Sequence, residues 1–232
     1  MKQKGIIVTQ QVYKWKACLN IHGGKQQYGI HYTETFLLVI NWVIVHLIQL
    51  LFIIHKWKTR HVDFVLAFLQ ADIECKMYIE LPHGVEMKHG RGKTHALKLL
   101  KNLYGKKQAG RAWYIHLHTK LIGIGFKQSV YDNCLYYRGT TIFTIYIDNG
   151  VFASFASPLD DNITQALKDL KRIGCDIEDQ GELSDYLGVN IKQKQGITHL
   201  MQPHLIDQII KDTGILSQAA DKLTTIINHS KG

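Results

Sequence analysis

Acidic residues are missing from one long stretch of this chain. Between Met87 and Tyr131 there is no Asp or Glu, yet Lys88, Arg91, Lys93, Lys98, Lys101, Lys106, Lys107, Arg111, Lys120 and Lys127 all fall inside it. Prolines number three in 232 residues, and with an apolar fraction of 46% that argues against a disordered chain. The four cysteines, Cys18, Cys75, Cys134 and Cys175, are too far apart for a zinc or dithiol spacing and read as scattered thiols of a reducing compartment. No secretory signal is expected from "MKQKGIIVTQQ", whose apolar part is too short. Charge is lacking from "FLLVINWVIVHLIQLLFII", Phe36 to Ile54, a run near the length that spans a bilayer. On a helix Asn41, His46 and Gln49 would share one arc, which favours a mostly buried helix with one wet edge and no membrane partner.

The formal charge of +9 suggests a polyanionic partner, nucleic acid before acidic membrane. Its distribution is more telling than its sum. Tyr104, Trp113 and Tyr114 interleave with the cations of the acid-free stretch, as a phosphate-tracking surface with stacking side chains would need. From Asp148 to Asp185 the balance reverses, with nine acidic residues against three basic ones. His116-x-His118 has no nearby partner at metal-site spacing, so solvated or capped histidines are the better reading.

Along the chain, residues 5–32 alternate weakly and suggest strands and turns, followed by the apolar helix. "HVDFVLAFLQADI" reads as a buried strand, Val62 to Phe68, passing into a helix with Asp63 near the strand's end. "KMYIELPHG" is a short strand, Gly90 and Gly92 mark a loop, and "HALKLLKNLYG" is a strand or helix ending at Gly105. "GRAWYIHLHTKLIGIGF" predicts a helix stopped at Gly125. In "SPLDDNITQALKDLKRIG", Ile163, Ala166, Leu167 and Leu170 share one helical face, with caps offered by Asp160 to Asn162. A two-strand segment turning at Gln195-Gly196 and a last helix, "HLIDQIIKDTGI", follow. Without strict βαβ alternation, the class is α+β.

The segment "TIFTIYIDNGVFAS" poses the functional question. Asn149-Gly150 between two β-prone runs is a strong hairpin-turn signal. Asp63 and Asp148 each end an apolar strand-like run. Converging strand-borne carboxylates can hold a pair of divalent metals for phosphoryl transfer, whereas a lone aspartate at a strand end is more often a turn or cap residue. Spacing alone leaves both readings open.

Eight pieces in order carry a resemblance: "YKWKACL", "GGKQQYGIHYTETF", "VDFVLAFLQADIECKMYIELPHG", "LKLLKNLYGKKQAGRAWY", "GFKQSVYDNCLYY", "YIDNGVFAS", "DYLGVNI" and "MQPHLIDQI". Over nearly its whole length the chain resembles the reverse transcriptase of copia-type retrotransposons. The resemblance implies one region over 1–232 with a right-hand polymerase fold. About 5–110 would be fingers and palm, 111–192 palm with a catalytic hairpin at 141–154 in an antiparallel sheet packed by helices, and 193–232 the start of a thumb. It places Asp63 and Asp148 as ligands of two Mg²⁺ or Mn²⁺ ions, and Phe68 beneath the incoming sugar, excluding a 2′-hydroxyl. Tyr146, Lys107, Gln108 and Arg111 become substrate-binding candidates, with Leu187 and Gly188 at the primer end. The implied partners are an RNA or DNA template with primer, deoxynucleoside triphosphates and other products of a polyprotein, in the cytoplasm or nucleus.

Departures from the family pattern bear on activity. The family has a second aspartate where this chain has Asn149, and leucine and proline where it has Lys106 and Gly110. An impaired polymerase is therefore expected, cut from a larger polyprotein. The alternative is a non-catalytic nucleic-acid-binding remnant.

Overall fold

The strand that carries Asp63 and the hairpin that carries Asp148 become neighbours in one sheet. In the computed structural model, residues 2–5, 12–16, 19–81, 84, 95–155, 161–194 and 197–213 are described. The elements run β1 (Lys2–Gly5), β2 (Val12–Lys16), α1 (Trp42–His55), β3 (Lys58–Phe64), α2 (Ala67–Gln70), β4 (Tyr78–Glu80) and β5 (Ala96–Lys98). After these come α3 (Ala109–Gly123), β6 (Lys127–Gln128), β7 (Leu135–Arg138), β8 (Thr141–Tyr146), β9 (Asn149–Ser154), α4 (Asn162–Arg172) and β10 (Ile177–Gly181). The chain ends with β11 (Asp185–Tyr186), β12 (Val189–Lys194), β13 (Ile197–Met201) and α5 (Pro203–Thr213). Helices with antiparallel sheets make it α+β. Cys18, the loop at Gly90 and Gly92 and the turn at Gln195-Gly196 lie outside the described residues.

Two compact units divide the chain, residues 1–181 and 182–232. The first is built on a six-stranded antiparallel sheet of order β10-β3-β9-β8-β7-β6. Side chains alternate across a strand, and directly paired residues share a face. Val62 and Phe64, Phe143 and Ile145, and Phe152 thus lie on one face, where Phe143 and Phe152 pair at 4.3 Å between ring centroids. α3 brings Trp113 edge-on to Phe64 at 5.1 Å, and α4 buries the four residues its periodicity predicts, Ile163, Ala166, Leu167 and Leu170. Asp63, Asn149 and Tyr146 lie on the other face. The second unit is a three-stranded antiparallel sheet, β11-β12-β13, followed by α5.

Besides the strand expected over Val62 to Phe68, which runs Lys58–Phe64 and gives way to α2 at Ala67, two sequence expectations fail. α1 starts only at Trp42, because the Asn41 side chain accepts a hydrogen bond from the Val43 amide (2.9 Å) and caps the helix there. Of the expected wet edge, Asn41 and His46 are exposed but Gln49 is not, and the helix is not mostly buried. Gln49 is buried, while Val43, Leu47, Leu50 and Ile54 are exposed. With nearly every position apolar, α1 has no amphipathic stripe to fix which way it faces. Among the described residues, no helix is long and apolar enough to cross a membrane.

The second failure is the hairpin turn. Tyr146 pairs with Asn149, so the two-residue loop is Ile147-Asp148, and Asn149-Gly150 opens β9. Ile147 takes a left-handed φ of 59°, which Asn or Gly would adopt more readily. Gly150 is needed for space: a Cβ there would stand 2.6 Å from the Phe143 ring and 3.0 Å from Val62.

Candidate active site

β3 meets β9 in a register that sets Asp63 directly across from Asn149. The Phe64 amide donates to the Asp148 carbonyl at 2.9 Å, which ties the turn to the strand carrying Asp63. Trp113 Nε1 donates to the Ile147 carbonyl at 2.6 Å, steadying the strained turn from the apolar side. The sheet and one helix thus bring Asp63, Asp148, Asn149 and Tyr146 to one end of β3, β8 and β9. On the far side of Asp63 its cross-strand partner is Glu178 of β10, a third acidic residue at this edge that sequence reasoning did not single out. It belongs to the acidic run after Asp148, and only the strand register shows where it comes to lie.

Asn149 Nδ2 donates to Asp148 Oδ1 at 3.0 Å. An ionised carboxylate only accepts, so the amide must turn its N–H toward Asp148. Where a second aspartate would add negative charge, this chain adds a neutral group that consumes one of Asp148's acceptor sites. Two carboxylates, Asp63 and Asp148, suit a single hard cation completed by water or phosphate oxygens. Among the described residues no group of three His, Cys, Asp or Glu is arranged to hold a metal ion. With an amide in place of a further carboxylate, the donor set carries less negative charge to offset two divalent ions.

The remaining candidates fall into separate places. Phe68 lies in α2, one turn beyond Asp63's strand, with its ring 4.8 Å from that of Tyr104. Leu187 and Gly188, both at positive φ, form the two-residue turn between β11 and β12 in the second unit. Gln108 is a buried structural amide: its Nε2 donates to the His31 carbonyl (2.8 Å) and its Oε1 accepts from Gln26 (3.0 Å). A cleft of about 330 Å³ lies elsewhere, between the segment around His22 and Gln26 and the strand at Met77 to Glu80.

The acid-free segment is not an acid-free surface. Arg111 is gripped by Glu34 (2.7 Å) and Glu74 (3.2 Å), and Lys101 pairs with Asp72. Lys107 donates to the Tyr32 hydroxyl (2.9 Å) and sits over its ring. Carboxylates distant in sequence thus pair with two cations of the run, Lys101 and Arg111. Trp113, read from the sequence as a stacking residue, is instead part of the core, 1% exposed.

Lys106 is also inside. Its ammonium donates to Asn102 Oδ1 at 2.7 Å, and burial holds its pKa below the ordinary lysine range, against the opposing pull of Cys75 and Glu74. The folded state thus disfavours the proton that the unfolded chain keeps up to about 10.4. Wild-type stability relative to Lys106→Met is expected to rise with pH between the lowered value and the ordinary one, and to level off above it. Urea midpoints of both chains from pH 7 to 10.5 measure this. The buried thiols of Cys134 and Cys175, pushed up to about 12 and about 11 by burial, make both chains lose stability above pH 9 and cancel in the comparison.

Comparison with known proteins gives the family. Residues 2–228 match the family model described as reverse transcriptase (RNA-dependent DNA polymerase). The chain is 31% identical over 212 residues to the retrovirus-related Pol polyprotein from transposon RE1 of Arabidopsis thaliana, covering 88% of this chain and 14% of that protein. The RE2 polyprotein of the same plant is 29% identical over 208 residues, with the same two coverages. The Pol polyprotein from transposon TNT 1-94 of Nicotiana tabacum is 28% identical over 191 residues, covering 80% and 14%. This chain therefore spans about a seventh of the length of those relatives. By the match along nearly all of its residues, it belongs to the reverse transcriptase family, as a copia-type reverse transcriptase region.

Proposed function

We propose that this chain is the polymerase region of a copia-type Pol polyprotein whose nucleotidyl transfer is impaired at Asn149. The observation that supports this is the register: Asn149 faces Asp63 across β3 and β9 and turns its amide N–H onto Asp148. In this reading about 5–110 are fingers and palm, 111–192 palm with the catalytic hairpin, and 193–232 the start of a thumb or connection. The substrates are a primer on an RNA or DNA template and deoxynucleoside triphosphates.

Asp63 and Asp148 would hold the divalent ion, Mg²⁺ or Mn²⁺, which when bound supplies charge neutralisation to the transferring phosphoryl group. Phe68 limits the room beneath the incoming sugar. Tyr146, in line with Asn149 on the same sheet face, helps orient the primer terminus. Lys107 and Arg111 meet backbone phosphates, and the Leu187-Gly188 turn steadies the primer strand. Gln108 shapes the site only through the contacts that hold the start of α3.

The test is extension of oligo-dT on poly-rA with Mg²⁺ or Mn²⁺. Weak extension that disappears in Asp63→Asn is expected; extension that survives this substitution would place the chemistry elsewhere. The missing charge at Asn149 also favours a second reading, a binding remnant without turnover. That reading predicts salt-sensitive nucleic-acid binding indifferent to Mg²⁺ and to Asp63→Ala.

A further inference from the structure

A strap is fastened to the start of α3 and presents an exposed aromatic ring next to a second one that packs on a lysine. Residues 26–34 are fastened there by Gln26 Nε2 to Gln108 Oε1 (3.0 Å), the Lys107 amide to Gln26 Oε1 (2.8 Å) and Gln108 Nε2 to the His31 carbonyl (2.8 Å). Within the strap a tight turn, with Gly29 at φ 80° and its amide bonded to the Tyr32 carbonyl (2.8 Å), brings Tyr28 against Tyr32. The two rings meet edge to face at 5.8 Å, and Tyr28 remains 73% exposed. Lys107 Nζ lies 4.5 Å from the centroid of the Tyr32 ring, and Arg111 follows one helical turn later.

A solvent-facing aromatic propped by a second ring that carries a lysine ammonium, with an arginine one helical turn further on, is an arrangement suited to an unpaired base and its phosphate. Arg111 is occupied by Glu34 and Glu74, both well exposed. Such ion pairs hold weakly in water, and guanidinium accepts a phosphate with the same fork geometry as a carboxylate. We propose that the strap binds one unpaired nucleotide of a single strand. The base stacks on Tyr28, and its phosphate takes Lys107 and displaces Glu34 and Glu74 from Arg111. The two glutamates thereby act as a clasp that weak or sparse polyanions do not open. This rests on the reading above that the substrate is nucleic acid, and adds where an unpaired template strand is gripped.

The experiment is fluorescence anisotropy of the full chain with labelled (dT)12, (rU)12 and a twelve-base-pair duplex across a salt series. Tyr28→Ala is expected to weaken both single strands roughly five- to hundredfold, with the duplex unchanged and Tyr28→Phe close to wild type. Glu34→Gln with Glu74→Gln is expected to tighten single-strand binding severalfold, because the phosphate no longer competes with two carboxylates for Arg111, while the salt slope, set by the same number of phosphate contacts, stays close to wild type. Single-strand affinity unmoved by Tyr28→Ala, or unmoved by the glutamine pair, overturns the inference and leaves the polymerase reading intact. Wild-type chain that binds neither strand nor duplex overturns both.

Discussion

Asn149→Asp is expected to raise metal-dependent primer extension by about a hundredfold to a few thousandfold over the wild-type chain, equivalent to ~3–5 kcal/mol of transition-state stabilisation. The substitution keeps the shape of the side chain, so the pairing of β9 with β3 and β8 and the tight fit of Gly150 against Phe143 are undisturbed. What changes is charge. The amide that now bonds Asp148 becomes a carboxylate beside it and across from Asp63, and three like charges converge. Without cations such crowding destabilises the hairpin, because like charges opposed across strands repel. A melting temperature below wild type in chelator, recovered on adding Mg²⁺, should accompany the gain in rate. Equal extension rates for the two chains would mean that position 149 does not limit catalysis.

Trp113 carries the second large effect. Its ring is buried against Phe64 and its indole nitrogen holds the Ile147 carbonyl. Ile147 is β-branched and left-handed, a conformation that persists only where its surroundings enforce it. Trp113→Ala is expected to destabilise the chain by about 3–5 kcal/mol, as for other large aromatic truncations. Trp113→Phe retains most of the packing and loses the hydrogen bond, for about 1–3 kcal/mol. Urea unfolding of both variants measures these losses. Placed in the Asn149→Asp chain, Trp113→Phe should also lower primer extension, on the order of a hundredfold, because the turn that positions Asp148 is no longer held. A stability loss with full extension would confine Trp113 to packing.

The helix at Asn162–Arg172 was legible because its apolar residues repeat at the helical period, and the paired runs of the hairpin because both are continuous and β-prone; the strand carrying Asp63 was read four residues late, since its first half, Lys58 to His61, is polar. The turn was misjudged by two residues. Asn-Gly is a strong local signal, but the ladder from Thr141↔Ser154 to Tyr146↔Asn149 and the bond from Trp113 outweigh it, and Gly150 serves a packing need instead. The facing of α1 could not be read, since a helix with so few polar positions carries no periodic instruction. The pairing of Arg111 with Glu34 and Glu74 was equally hidden: nothing local in "KKQAGRAW" reveals carboxylates contributed from 77 and 37 residues earlier. Linear charge segregation is therefore a poor guide to the surface here.

Counting Mn²⁺ ions by electron paramagnetic resonance, with primer–template and a non-hydrolysable deoxynucleotide bound, tests the charge deficit most directly. The wild-type chain is expected to hold one tightly bound ion fewer than Asn149→Asp, and Asp63→Asn to lose the ion that remains. Two ions bound with equal affinity in both chains, or binding untouched by Asp63→Asn, would contradict the account.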